Sequence, residues 1–256
     1  MDKAFLKGLH LLEALVLSDK PRGVTDLARE LGLTKSNVHR LLRTLMKRGL
    51  VQQDSSTERY SCTLKLWEWG VLLSERIEIK DLARPHLVEL SKKTQETVHL
   101  SVLDGAEVIY IDKIDSPQVV GTYSKIGSRA PAYTMATGKA MLAFLSDAEL
   151  ASICDHLRKM TPRVNIEELR QELIKVRATG YAINRGDART SACGIASPIF
   201  DASRAACAAV GISGPIDRIK PGLIRDFSPI VMDAALRISR ALGYSGGFQL
   251  AAASNR

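Results

Sequence analysis

Metal-binding and disulfide patterns are missing from this chain. Its four cysteines, Cys62, Cys154, Cys193 and Cys207, include no Cys-x2-Cys pair and have no histidine at ligand spacing, so they read as free thiols. The five histidines (His10, His39, His86, His99 and His156) stand singly, whereas metal ligands recur at short spacing. Each reads as a surface or core hydrogen-bonding group, and no metal or other cofactor is expected. Long apolar runs are missing too. No uncharged stretch approaches the roughly 18 residues of a membrane span, and the longest, residues 241–255, is loosened by Gly243, Gly246 and Gly247. His10 and Glu13 interrupt the apolar N-terminal run and no small-residue cleavage site follows, which argues against a signal peptide. A soluble, cytoplasmic protein without a membrane partner is expected. Internal repeats and low-complexity tracts are likewise lacking.

What the chain does have is length, an ordinary apolar content and an uneven charge. At 256 residues it is comfortable for two domains of about 150 residues or fewer. Hydrophobic residues at 45% and charged ones at 25% exclude wholesale disorder. The net charge is +8, and residues 1–65, with 12 basic and 7 acidic side chains, carry +5 of it. That concentration is the electrostatic footprint of a module that neutralises phosphates. A membrane-surface patch would carry similar charge, but the pattern in the same residues favours DNA.

Residues 24–49, VTDLARELGLTKSNVHRLLRTLMKRG, contain two short amphipathic helices and a tight turn. Val24, Leu27, Ala28 and Leu31 recur at i, i+3, i+4, i+7, and Val38, Leu41, Leu42 and Leu45 repeat that spacing. Thr25 and Thr34 are expected as N-caps, with Gly32 and Gly49 as C-terminal stops. The pattern is that of a helix-turn-helix. At about 100° per residue the second helix sets Ser36, Arg40, Arg43 and Lys47 opposite its leucine stripe. His39 lies on the flank, and Lys35 and Asn37 lie in the first turn. No carboxylate occurs on this face, whereas a merely solvated helix normally mixes signs. Arg can fork onto guanine O6 and N7, and Asn onto adenine, in a major groove. Thr34, Lys35, Ser36, Asn37, His39, Arg40, Arg43 and Lys47 are therefore the candidate contacts to double-stranded DNA.

Before this motif, residues 5–17 form an amphipathic helix, closed by a Pro21-Arg22-Gly23 turn. After it, two short strand-like runs flank Asp-Ser-Ser-Thr, a plausible wing. Its tip residues Ser55, Ser56, Thr57 and Arg59 are placed to reach phosphate; equally, the hairpin serves only to close the small core. Residues 64–82 read as an apolar helix whose Trp67 and Trp69 need a partner, most simply the same segment of a second copy. Pro85 marks a break near the start of a helix over 81–93. Strands are expected at 97–103, 108–113, 119–123, 194–201 and 206–213, and helices at 137–145, 147–157, 166–179 and 223–242. That is an α+β arrangement suited to holding a small ligand between sheet and loops. Domains are expected at 1–63, 64–82 and 83–256.

Enzyme readings fail on order. Gly211-Ile-Ser213-Gly-Pro imitates part of a nucleophile elbow, but Pro215 breaks the turn and no histidine follows His156. Thr137-Gly138-Lys139-Ala140 lacks the first glycine and the Ser/Thr of a P-loop, leaving Lys139 as a surface or helix-terminal cation. A sensor whose winged helix binds protein is the remaining alternative, and it has no need of a cation-only face.

Three blocks, GLTKSNVHRLLRTLMKRGLV (32–51), IGSRAPAYTMATGKAMLAFL (126–145) and GYAIN…GIASPIFD…GISGPIDR (180–218), resemble the IclR family of bacterial transcriptional regulators. The resemblance extends over nearly the whole chain. It implies a winged helix-turn-helix, a linker helix that mediates dimerisation and a GAF-like C-terminal domain that binds a small organic effector. It implies a homodimer or a tetramer, acting as repressor, activator or both. For the effector it implies that the loop holding Tyr133, Met135, Ala136 and Thr137 offers backbone N–H groups to an anion at a helix N-terminus. Ser213 matches a ligand-contacting serine. Asn184 stands where many members carry Asp, Gly194 where many carry Cys with Cys193 one place earlier, and Gly211 replaces a polar residue. An amide at 184 can donate as well as accept, which favours a keto- or sugar acid as effector.

Overall fold

The computed structural model describes residues 3–74, 77–120, 124–161, 164–186 and 191–246. Its contacts divide the chain into two units, Met1–Ile77 and Glu78–Arg256.

In the first unit, helices α1 (Lys3–Val16), α2 (Val24–Glu30) and α3 (Lys35–Lys47) precede a hairpin of β1 (Val51–Gln53) and β2 (Tyr60–Cys62), and then α4 (Lys65–Ser74). The apolar stripes meet as their spacing predicts. Leu11, Leu15, Leu27, Val38, Leu42 and Tyr60 are all buried in one core. Thr34 caps α3, its hydroxyl oxygen accepting from the Asn37 backbone N–H at 3.3 Å. Gly32 and Gly49 end their helices at φ +62° and +69°, the left-handed region that glycine enters without cost. Thr25 is not a cap: Gly23 holds that position, and Thr25 lies inside the first turn of α2. The hairpin is pinned beside its turn, where β2 begins, since the backbones of Arg22 and Tyr60 exchange two hydrogen bonds at 2.8 Å.

The expected linker helix over 64–82 is not continuous. It is described as far as Ser74, residues 75–76 lie outside the described residues, Ile77 is not helical, and α5 (Glu78–Thr94) follows. Pro85, read as a break, sits inside α5. It lies in the second turn, where a missing N–H forfeits one i→i−4 bond without ending the helix.

The second unit continues with β3 (Thr97–Asp104), β4 (Glu107–Ile114), β5 (Arg129–Pro131), α6 (Ala136–Leu142), α7 (Asp147–Met160) and α8 (Ile166–Thr179). It closes with β6 (Ala182–Arg185), β7 (Ala192–Phe200), β8 (Ala206–Pro215) and α9 (Pro221–Ala241). One antiparallel sheet runs in the order β5-β4-β3-β8-β7-β6. Strand alternation gives the sheet two apolar faces. Ala182, Ala196 and Ala209 pack with α6, α7 and α8, while Ile195 and Ile199, of opposite parity on β7, are buried on the side of α9 and α5. Helices on both faces make an α+β domain, as expected.

Three strand assignments change. Val119 and Val120 form a bend rather than a strand, and 121–123 lie outside the described residues. The strands β5 and β6, of three and four residues, escape sequence reading because so short a run carries no period. Of the two readings of Lys139, the helix-terminal one holds, since the residue lies in the last turn of α6, and the surface one does not. Lys139 is 3% exposed, and its ammonium pairs with Glu172 at 2.7 Å, tying α6 to α8.

Leu42 is fully buried at the centre of the first unit. Leu42→Ala should cost that unit about 2–5 kcal/mol through the cavity it leaves. Urea denaturation followed by the fluorescence of Trp67 and Trp69 measures this, and a loss under about 1 kcal/mol would place Leu42 outside the core.

Candidate functional site

Two surfaces concentrate unspent polar chemistry, one in each unit. On α3 the buried residues Val38, Leu41 and Leu42 leave Lys35, Ser36, His39, Arg40, Arg43 and Lys47 exposed on the other side, with Thr34 exposed at the cap and Asn37 half-buried. Among the described residues, Arg40, Arg43 and Lys47 take part in no ion pair, and no carboxylate stands on this helix. A helix N-terminus beside unpaired cations is an arrangement that fits a major groove.

The wing is organised differently. Asp54 closes the turn by accepting from the Ser56 hydroxyl at 2.6 Å and from the backbone N–H groups of Ser56 and Thr57 at 2.8 and 3.0 Å. These bonds hold its carboxyl below the usual range, the Ser56 hydroxyl contributing most. Arg59 donates to the Pro21 carbonyl at 3.2 Å. The tip therefore spends the Ser56 hydroxyl and two backbone donors on Asp54, while Arg59 spends one guanidinium nitrogen on Pro21.

In the second unit a cavity of about 460 Å³ lies over the sheet beside the start of α6. Met135, Ala136, Thr137, Asn184, Cys193, Gly194, Gly211 and Ser213, eight of the nine candidate effector residues, line it together. The strand register explains why. Asn184 on β6 lies opposite Gly194 on β7, which lies opposite Ser213 on β8, so three distant segments share one row. Tyr133 is the exception: its ring lies in a separate groove with Thr134, Lys139 and Glu172. The chain turns sharply at residues 133–135, which sends its side chain away from the cavity. Gly138 lets α6 sit tight against this turn, because a Cβ there would lie 2.1 Å from the Ala132 carbonyl oxygen.

No side chain caps the N-terminus of α6, so its first N–H groups have no partner within the helix. Asn184 is 6% exposed, and its Nδ2 donates to the Thr134 carbonyl at 2.7 Å. Gly211 is glycine for steric reasons: a Cβ would stand 2.7 Å from Ala196 Cβ and 2.8 Å from the Ile195 carbonyl.

His99 also lines this cavity, and sequence reading assigned it no part in the site. Its position on β3, opposite Gly211, places it beside Ser213. Its Nε2 lies 2.6 Å from the Ser213 hydroxyl and its Nδ1 3.3 Å from that of Ser124, and its ring packs on Tyr110 at 5.1 Å. A titratable ring on the polar side of the alternating strand TVHLSVL, between Thr97 and Ser101, was the available signal. Burial pushes the imidazole down to about 4, helped by the Lys113 ammonium and opposed by Asp115. The ring is therefore neutral near pH 7, offering one donor and one acceptor.

An exposed basic helix-turn-helix and a ligand-sized cavity in a separate domain define a transcriptional regulator that binds DNA and a small-molecule effector. Residues 72–240 match the bacterial transcriptional regulator IclR C-terminal domain, and residues 4–55 match the IclR helix-turn-helix domain. The chain belongs to the IclR family, which consists of transcriptional regulators rather than enzymes. It is 34% identical to the regulator KdgR of Escherichia coli over 93% of this chain and 92% of that one. XynR of the same organism is 33% identical, over 86% and 89%. The IclR crystal structure from Thermotoga maritima superposes with a TM-score of 0.77 at 32% identity, covering 95% of this chain and all of that one. No helix among the described residues is long and apolar enough to cross a membrane.

The His99 environment yields a prediction. Its folded pKa lies below the unfolded value near 6.5, so its contribution to stability is complete above pH 6.5 and is lost as pH falls towards 4. The loss amounts to about 3 kcal/mol. NMR titration of the imidazole should give a midpoint near 4, and that part of the acid destabilisation should vanish in His99→Asn. A midpoint at 6 or above would mean the ring is solvated.

Proposed function

We propose that this regulator reads a near-palindromic operator with α3, as a homodimer, and controls a catabolic operon according to the level of a small carboxylate-bearing acid. The observation that carries the DNA part is the cation-only exposed face of α3, whose Arg40, Arg43 and Lys47 lack counter-charges. Arg40 and Arg43 read base edges. Thr34, Lys35, Ser36, Asn37, His39 and Lys47 position the helix, and Arg59 of the wing reaches phosphate from its perch on Pro21.

The effector part rests on the cavity. Its carboxylate is held by the backbone N–H groups of Ala136 and Thr137, where dipole and uncapped donors coincide. Its polar body lies against Ser213, Asn184 and His99, over a floor of Cys193, Gly194 and Gly211, with Met135 at the side. The names of KdgR and XynR identify those proteins as regulators, and the same role is carried over here.

Dimerisation runs through α4. Trp67 is 67% exposed and Trp69 45%, with Leu72 and Leu73 on the same helix and Leu64 just before it also exposed, against only Lys65, Glu68 and Ser74 as polar residues of that helix. So much apolar surface on one short helix favours burial against a second copy, and family members that form tetramers would extend the same contact.

Anisotropy titration against the duplex upstream of its own gene tests the assignment, with a random duplex as control. Arg40→Ala and Arg43→Ala should each weaken specific binding by about 1–3 kcal/mol without altering the fold. Affinity should fall steeply with salt. Unchanged affinity in the double variant would mean that another face reads the DNA. Sedimentation at micromolar concentration should give a dimer or larger, and two half-sites spaced by whole helical turns of about 34 Å. A monomer bound one-to-one to DNA would exclude the dimeric reading.

A further inference from the structure

We propose that the cavity selects a ligand donating a hydrogen bond to Asn184, a 2-hydroxy or polyhydroxy acid, over the keto acid of the same skeleton. The inference rests on reading this cavity as the effector site, and it reverses the preference for a carbonyl that the bare identity of an amide suggests.

The orientation of the amide decides the matter. Asn184 Nδ2 donates to the Thr134 carbonyl at 2.7 Å, and flipping the amide would set two oxygens against each other there. Oδ1 is thus the other end, and it has no hydrogen-bond partner among the described residues although it is buried. Its neighbours in the strand row cannot supply one. The residue directly opposite is Gly194, which has no side chain, and the next across, Ser213, is engaged with His99 at 2.6 Å. Among the described residues the other buried side-chain oxygen without a partner, Ser101 Oγ, does not line the cavity.

A buried acceptor already stripped of water is an unmet requirement. A ligand hydroxyl satisfies it without displacing a protein–water bond. A ketone oxygen at the same place sets acceptor against acceptor, and leaves Oδ1 as it was. Sites built to bond a hydroxyl reject analogues lacking it far more strongly than apolar pockets reject a missing methylene.

Calorimetry on the full-length protein with matched pairs tests this: pyruvate against D- and L-lactate, 2-oxobutyrate against 2-hydroxybutyrate, and 2-ketogluconate against gluconate. In every pair that binds, the hydroxy member should be tighter by about tenfold or more. Asn184→Leu removes the acceptor at similar volume, and the ratio should then collapse to about twofold or less. Both members of a pair share any loosening caused by losing the Thr134 link, so the ratio isolates Oδ1 from that structural role. If Asn184→Leu does not fold, the ratio in the unaltered protein decides alone. Equal or tighter binding of the keto member, or a preference that survives in Asn184→Leu, overturns the inference and leaves the acid-effector reading intact. If none of these acids binds, that reading fails and the inference falls with it.

Discussion

Close approach of α6 to the sheet is the constraint on which the second unit depends. The approach requires side chains to be absent. Gly138 sits where any Cβ would collide with the Ala132 carbonyl, and Gly211 where one would collide with Ala196 and Ile195. Ala182, Ala196 and Ala209 complete a floor of small residues beneath Ala136 and Ala140. Where the helix covers that floor the packing is dense. Its first residue, Ala136, stands over Gly194, where a Cβ would lie 3.5 Å from the Ala136 Cβ, and beside it, above the same shallow floor of Gly194 and Gly211, the cavity opens. One run of small residues thus produces both a tight interface and a binding volume, because protein interiors tolerate few unplanned voids.

The rim of the cavity is held by charge. Arg218 forks onto Glu96, two bonds of 2.6 Å, and donates from its other nitrogen to the Val120 carbonyl at 2.9 Å. Lys113 donates to the Ser124 carbonyl at 2.9 Å. Glu96 is 3% exposed, so the pair carries a desolvation cost that only its bidentate geometry offsets. Its value lies in position. It fixes the end of α5, the start of β3 and the loop edge at one point. Gly214 makes this possible, since a Cβ there would come within 2.4 Å of Glu96 Oε2. The glycines of the Gly-Ile-Ser-Gly-Pro run, which imitate a nucleophile elbow, therefore answer to packing, at Ala196 on one side and at Glu96 on the other.

What the sequence made legible was local. Thr34, Gly32, Gly49 and the leucine stripe of α3 act within one turn of themselves, so their identities alone specify cap, stop and face. The cavity residues are another matter. Asn184, Gly194 and Ser213 share a row only through strand pairing across some thirty positions, and family resemblance, not residue pattern, brought them together in advance. Where neither local chemistry nor resemblance reached, the reading failed. Lys139 looked like a surface or helix-terminal cation, and its burial against Glu172 was missed because that partner lies 33 residues away. His99 looked like one more solitary histidine because its contacts, Ser213 and Ser124, lie 114 and 25 residues off. The non-helical Ile77 and the helical Pro85 show that apolar spacing predicts a face better than it predicts a boundary.

Polar groups in this chain divide into those that are spent and those that are not. The wing spends its Asp54 on its own turn, and Glu96, Lys139 and Asp112 are each buried against a cation or carboxylate within their own unit. Such groups hold the fold and have little left to offer a partner. Among the described residues, two kinds of unspent group stand on the candidate binding surfaces: the cations of α3, exposed and without counter-charge, and Asn184 Oδ1, buried and without a donor. The first kind is cheap to maintain, because water solvates it until a phosphate arrives, and it gives affinity that salt erodes. The second is costly in the empty state, which is why a fold retains so few, and it gives discrimination between ligands that differ by two hydrogens. Affinity for a polymer of uniform charge and selectivity among small acids thus draw on opposite economies of solvation, and the chain keeps each in its own unit.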